Sequence, residues 1–307
     1  MMATPAKTRR SAGRSAVNPD LPKWSRYLDL TKPRLSLLSV LTVLIGYFAA
    51  RPTLDSWVIF NLAVGTSLAA GGAAALNQWW ERQTDAAMHR TRDRPLPAGD
   101  IRPARAAALG LLLSLIGAGQ LLLWVNPLAA LLLVLTVATY LLVYTPLKKR
   151  THWCTEVGAI SGALPPLIGW AGAEGALGPG AWVLFGVLAF WQMPHFHAIA
   201  WLYRQDYAAA GFPMLAVIDA GGARLARHMN AYGVLLFLCA LGPAALDMTR
   251  GLYPVAAVLL NGYFLREILR FHRGADRDAA ARKIFLVSIL LLPLLLGALV
   301  IDVWFVN

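Results

Sequence analysis

The sequence predicts an all-α, polytopic membrane protein: one bundle of about nine transmembrane helices, with the N-terminus cytoplasmic and the C-terminus outside. The 307 residues are 58% hydrophobic and only 14% charged, whereas a soluble domain carries roughly 25% charged residues. Apolar runs recur from Leu35 to Phe305, each of about 20 residues, which is the length that crosses a bilayer. The lipid bilayer is therefore the expected surroundings of the chain.

The positions of the basic residues support both the helix count and the orientation. Of the 28 Lys and Arg, all but Arg51 and Arg250 fall in segments that this topology places inside, as the positive-inside rule requires. Pro165 and Pro166 predict a kink in the fifth span. The predicted spans lie near residues 35–50, 57–79, 105–124, 128–145, 155–173, 181–202, 229–248, 252–271 and 284–305.

The remaining composition excludes several classes of protein. A net charge of +12 could indicate nucleic-acid binding, but confinement of the charge to short loops indicates topology signals, so we expect no nucleic acid. The two cysteines, Cys154 and Cys239, match no metal or redox spacing. Residues 1–30 are predicted to form a basic, disordered cytoplasmic tail and residues 31–307 the transmembrane domain. We expect the bacterial inner membrane, with a mitochondrial transit peptide as the minority alternative.

The end of the second span carries three oxygen-bearing side chains at intervals of four residues. Asn77, Glu81 and Asp85 therefore lie along one helical face. Magnesium takes carboxylate and amide oxygens together with phosphate oxygens, so this face suits a metal-bound diphosphate. The alternative is a solvated helix end, in which the acids pair with Arg82, Arg90 and Arg92.

Basic side chains lie near these acids in the predicted inner loops. They suit an anionic substrate that arrives with its own divalent cation, although each is equally consistent with a topology anchor. The predicted diphosphate ligands are Arg90, Arg92, Arg94, Lys148, Lys149 and Arg204.

The sixth span and the loop after it supply the other candidates. Asp206 would complete the metal site if it faced the first three residues across the bundle; otherwise it is an ordinary interfacial residue. His195 and His197 are two residues apart and lie on different helical faces, so one regular helix cannot direct both to one metal. A neutral imidazole is a possible axial ligand of heme iron, and an interhelical hydrogen bond is the structural alternative.

Four segments carry a family resemblance: TKPR at 31–34, the N-x-x-x-E-x-x-x-D pattern that leads into MHRTRDRPLPAG, YTPLKKRT followed by GALPPLIGW, and WQMPHFHAIAWLYRQDYAAAGFPML. On these segments the chain resembles the heme-farnesylating branch of the intramembrane aromatic prenyltransferase superfamily, from about Asp29 to the last helix. The acidic pattern alone indicates only the superfamily, and the PHF and YRQDY segment indicates the heme branch.

The resemblance implies a reaction and a set of site residues. The farnesyl group of farnesyl diphosphate would be joined to a vinyl group of heme B, giving heme O for terminal oxidases, with Mg²⁺ as cofactor and heme B as substrate. Asn77, Glu81, Asp85 and Asp206 would be the catalytic metal ligands, and His195, with His197 second, the heme-side candidate. Where much of the superfamily has a second acid four residues after Asp206, this chain has Ala210. Heme A synthase or oxidase assembly proteins are the implied partners.

Two alternatives come from the same residues. A prenyltransferase acting on a quinone or chlorophyll-type acceptor would keep the acids but would have no need of iron ligation. A membrane transporter of heme or ions would also place acids and histidines in helices, but some of them should lie near the midplane. The candidate residues here cluster at the predicted cytoplasmic ends.

Overall fold

A computed structural model describes residues 23–50, 53–89, 91–274 and 276–306. Every regular element within these ranges is helical. The predicted tail lies outside the described residues up to residue 22, and its last part belongs to the first helix. In chain order the helices are α1 Lys23–Thr31, α2 Pro33–Ala49, α3 Ser56–Ala87, α4 Pro103–Trp124, α5 Pro127–Ala138, α6 Thr145–Leu147, α7 Cys154–Ala163, α8 Pro165–Glu174, α9 Pro179–Leu202, α10 Arg204–Ala209, α11 Leu215–Ile218, α12 Ala223–Ala240, α13 Gly242–Ala245, α14 Leu252–Arg273 and α15 Arg277–Ile301.

The membrane fold predicted from composition is confirmed. Within the described ranges, seven helical segments are long and apolar enough to cross a membrane. Many of their large apolar side chains point outward, among them Leu123, Leu142 and Leu290, as expected where lipid is the solvent. The apolar α2 has 17 residues, and the fifth predicted span consists of α7 and α8, of ten residues each. The count of nine spans and the sides of the two termini stay predictions.

The second span extends further than the apolar pattern predicted. The prediction ended it at residue 79, whereas α3 continues to Ala87. Its last two turns are polar, but Glu81, Thr84 and Asp85 are buried by neighbouring segments. Buried side chains with local partners, rather than apolar residues, therefore stabilise this end of the helix.

Small residues allow α3 and α4 to pack closely. A Cβ atom added to Gly110 would lie 2.7 Å from the Leu76 side chain and 2.9 Å from the carbonyl oxygen of Gly72. Side chains at these glycines would push the two helices apart. The close packing holds the polar end of α3 in a fixed position.

The paired prolines break the fifth span, as predicted. Helix α7 ends at Ala163 and α8 begins at Pro165, because a proline in a helix interior removes a backbone donor and clashes with the preceding turn. Helix α8 packs against α2. Helix α7 packs against α9, which contains both candidate histidines.

Candidate functional site

The three predicted oxygen ligands lie on one buried face at the end of α3. Asn77, Glu81 and Asp85 are 2%, 8% and 1% exposed. The Asn77 amide group donates hydrogen bonds to Glu81 Oε2 at 3.1 Å and to the Thr145 hydroxyl oxygen at 3.2 Å. Because both amide protons are used in this way, the carbonyl oxygen of Asn77 is the part of the side chain left to accept or to ligate.

Lys148 neutralises Glu81. Its ammonium group donates to both carboxylate oxygens, at 3.0 and 3.2 Å, and lies 4.7 Å from the centre of the Tyr144 ring. A π-helical segment, Thr139–Tyr144, separates α5 from the short α6, and Pro146 within α6 has no backbone donor to continue a regular ladder. This irregular stretch brings Lys148 and Thr145 against the end of α3.

Arg94 neutralises Asp85. Its guanidinium donates to Asp85 Oδ2 at 2.7 Å, and the Thr91 hydroxyl donates to the Asp85 backbone carbonyl at 2.8 Å. Arg82, by contrast, donates to the Trp79 backbone carbonyl. The helix-end alternative expected pairing with Arg82, Arg90 and Arg92. Among the residues that the structure describes, the acids pair with Lys148 and Arg94; Arg90 is not among them, so its part of this alternative is not tested.

Lys32 is a third cation beside the acids, and the sequence analysis did not assign it to the site. It lies in the turn between α1 and α2, with left-handed backbone angles (φ 45°, ψ 61°). Burial, followed by the positive charges of Arg94 and Lys148, lowers the pKa of Lys32 to about 8, although Asp85 and Glu81 act in the opposite direction. The TKPR segment at 31–34, which contains Lys32, was the signal in the sequence that could have placed this lysine in the site.

An open cleft of about 400 Å³ is lined by residues of α3 and by the end of α10 with the residues that follow it. Gln83, Thr84 and Ala87 of α3 line one side, and Lys149 and the 209–211 segment line the other. Asp206 is half-buried on α10, one turn before that segment. The structure therefore brings the α10 segment to the same cleft as the end of α3.

The six predicted diphosphate ligands fall in different places. Arg94 and Lys148 bind the acids, Lys149 lines the cleft, and Arg92 is exposed. Arg204 lies against α15: it pairs with Asp278 at 3.1 Å and stacks on Trp201. Arg90 lies outside the described residues.

His195 has a structural partner on α15. Its Nδ1 lies 2.7 Å from the Ser288 hydroxyl oxygen, and that hydroxyl donates to the Phe285 carbonyl. The tautomer in which Nδ1 donates to Ser288 fits both contacts, and in that tautomer Nε2 keeps its lone pair. The ring stacks on Trp191 at 4.9 Å. His197 is 1% exposed and lies on another face, beside Glu156 and His228.

Comparisons with known proteins identify the family of the chain. The chain matches the UbiA prenyltransferase family over residues 39–290. It is 52% identical over 280 residues to a protoheme IX farnesyltransferase of Opitutus terrae, covering 91% of this chain and 95% of that protein.

Two solved structures share the fold. A digeranylgeranylglyceryl phosphate synthase superimposes with a TM-score of 0.80 at 15% identity, covering 92% of this chain and 99% of that one. A UbiA homolog from Archaeoglobus fulgidus bound to DMAPP and Mg²⁺ superimposes with a TM-score of 0.63 at 16% identity, covering 89% and 99%.

Proposed function

Because this chain belongs to the UbiA prenyltransferase family, and is therefore a multi-pass membrane transferase, we propose that it farnesylates heme. The allylic C–O bond of farnesyl diphosphate would break with diphosphate as the leaving group, and the farnesyl carbon would bond to a vinyl group of heme B. Water would then add to the other vinyl carbon and lose a proton, which gives the hydroxyethylfarnesyl side chain of heme O, a step towards heme A. The single observation in the structure that supports this best is the pairing of buried Glu81 and Asp85 with Lys148 and Arg94. The acceptor is supported by the name of the relative that is 52% identical.

Magnesium is the proposed cofactor, and the donor set fits it. Asn77, Glu81 and Asp85 present oxygen atoms on one face, and Asp206 comes from the facing segment; oxygen is the ligand atom that magnesium prefers. These four residues would hold the ion, which when bound neutralises charge on the departing diphosphate. A family member of the same fold carries DMAPP and Mg²⁺ together.

The charged side chains around the end of α3 also suit a diphosphate bound with magnesium. Glu81 and Asp85 are outnumbered by Lys32, Arg94 and Lys148, so the described group has a surplus of one positive charge when all five are ionised. Lys32, Arg94 and Lys148 would stabilise the charge that develops on the leaving group.

The acceptor side is assigned to α9. The Nε2 lone pair of His195 is available for the iron of heme B or for orienting the ring, because Nδ1 is held by Ser288. A quinone-type acceptor would not need this nitrogen. The bacterial inner membrane is the proposed location, and heme A synthase or oxidase assembly proteins are the proposed partners.

Chromatography of extracted hemes tests the proposal. The chain is expressed in a host that lacks its own heme-modifying enzyme, and an Asp85→Asn variant inserted at the same level is the control. We expect a more hydrophobic heme that carries a hydroxyethylfarnesyl group, present with the wild type and absent with the variant. Unmodified heme B together with a prenylated quinone would show that the acceptor is wrong.

A further inference from the structure

Three side chains from three helices form a compact cluster apart from the acids of α3. Glu156 of α7, His197 of α9 and His228 of α12 each offer one ligand atom, and all of these atoms lie within 4.8 Å of one another. Helix α9 packs against both α7 and α12, so the cluster is built at a helix junction. Neither Glu156 nor His228 was predicted as a site residue, and His197 was predicted only as a second heme candidate.

The ligand atoms of this cluster have no hydrogen-bond partner within the described ranges. Both carboxylate oxygens of Glu156, Nε2 of His197 and Nδ1 of His228 are buried and unpaired. His228 Nδ1 lies 3.7 Å from Glu156 Oε1, which is too long for a hydrogen bond. A buried polar group without a partner destabilises the folded protein, and more so when the group is charged. Three ligand atoms without hydrogen-bond partners, all within 4.8 Å of one another, indicate a ligand between them.

Two imidazole nitrogens and one carboxylate oxygen are a ligand set that suits a metal ion of intermediate hardness. Zinc binds such sets with three protein ligands and keeps a fourth position open, whereas magnesium is bound mainly by oxygen. We propose that Glu156, His197 and His228 bind a divalent transition-metal ion of the zinc type, at a site separate from the diphosphate site.

The geometry of the cluster allows a metal ion to bind after small movements of the three side chains. In tetrahedral geometry, ligand atoms about 2.0–2.1 Å from a zinc ion lie about 3.4 Å apart. The observed span is at most 4.8 Å, so side-chain rotations on the order of 1 Å bring the three atoms into range. Glu156 supplies the negative charge that offsets part of the ion's charge.

His152 provides a matched control. It lies near the cluster, but the Arg224 guanidinium is 3.1 Å from its Nε2. Since a guanidinium can only donate, this nitrogen of His152 is already used as an acceptor. Replacing His152 therefore removes a neighbouring histidine without removing a proposed ligand.

Metal titration of the purified full-length protein tests the site. After chelator treatment, the protein in detergent is titrated with Zn²⁺ by calorimetry and with Co²⁺ by visible absorption, in the presence of excess Mg²⁺. We expect one bound ion with the d–d bands of a low-symmetry cobalt site. Glu156→Gln, His197→Ala and His228→Ala should each weaken binding roughly tenfold or more, and His152→Ala should leave it unchanged.

Melting curves of each variant distinguish loss of the site from loss of the fold. Glu156→Gln keeps the side-chain shape, so it should melt near the wild type without metal and lose the stabilisation that Zn²⁺ gives the wild type. Zinc binding that is unchanged in all three variants would overturn the proposal. Wild-type protein that binds no zinc, or whose cluster histidines instead ligate heme iron by absorption, would overturn it as well.

Discussion

The pairing of Glu81 with Lys148 yields a quantitative prediction. Glu81→Gln keeps the shape of the side chain but removes the negative charge that accepts two hydrogen bonds from Lys148. The ammonium is then left in a site where its side chain is only 16% exposed. Breaking a buried pair costs about 3–5 kcal/mol; because Lys148 keeps some contact with water, we expect a loss near the lower end of that range.

A double-mutant cycle measures this coupling. Lys148→Met should also destabilise the protein, because it leaves Glu81 unpaired, but Glu81→Gln together with Lys148→Met should lose less than the sum of the two. We expect a coupling energy of about 1–3 kcal/mol, measured by unfolding in mixed detergent micelles. Exposed Glu174 on α8 provides the control substitution, Glu174→Gln.

Catalysis should respond differently from stability. Each of the three variants should lose at least about 100-fold in turnover, because each removes a charge that the proposed mechanism places at the diphosphate. The double variant should therefore recover stability without recovering activity. Additive stability losses, or normal turnover of Glu81→Gln at saturating magnesium, would refute the assignment of this pair.

Three further predictions concern Lys32, His195 and the topology. Because the pKa of Lys32 is about 8, its ammonium loses its proton as pH rises through that value. Affinity for farnesyl diphosphate should therefore fall from about pH 7 to about pH 9. The variant Lys32→Met should remove this part of the pH profile. A profile that is unchanged in Lys32→Met would exclude Lys32 from the site. His195→Ala should weaken heme binding, seen by absorbance, and spare diphosphate affinity, whereas a purely structural role predicts a lower melting temperature and weaker binding of both substrates. Tags at residues 98 and 275 should be cytoplasmic and a tag at Asn307 outside; a tag at Asn307 on the same side as the tag at residue 98 would refute the odd number of spans.

The sequence predicted the features that depend on local pattern. Apolar runs identified the membrane class, and the spacing of Asn77, Glu81 and Asp85 identified a shared helical face. The proline pair identified the break between α7 and α8. Each of these features is determined by residues within a few turns of the same helix. The local sequence was therefore sufficient to predict it.

The features that the sequence did not predict depend on contacts between distant segments. The pairing of Glu81 with Lys148 spans 67 residues, and no spacing rule indicated that Lys148 rather than Arg82 would neutralise the acids. Arg204 lies beside the predicted second metal residue, Asp206, but its partner is Asp278, 74 residues away. Glu156, His197 and His228 come from three helices, and only helix packing brings them together.

The charge pairs at the end of α3 have a consequence for the order in which ligands act. Glu81 and Asp85 pair with Lys148 and Arg94, so a metal ion arriving alone must compete with these two cations for the carboxylates. A diphosphate gives those cations a new partner and releases the carboxylates. Metal and diphosphate should therefore bind with positive cooperativity, and by linkage each must raise the affinity of the other by the same factor. Magnesium alone would then occupy the site poorly, and the enzyme would hold its metal mainly when a prenyl diphosphate is bound.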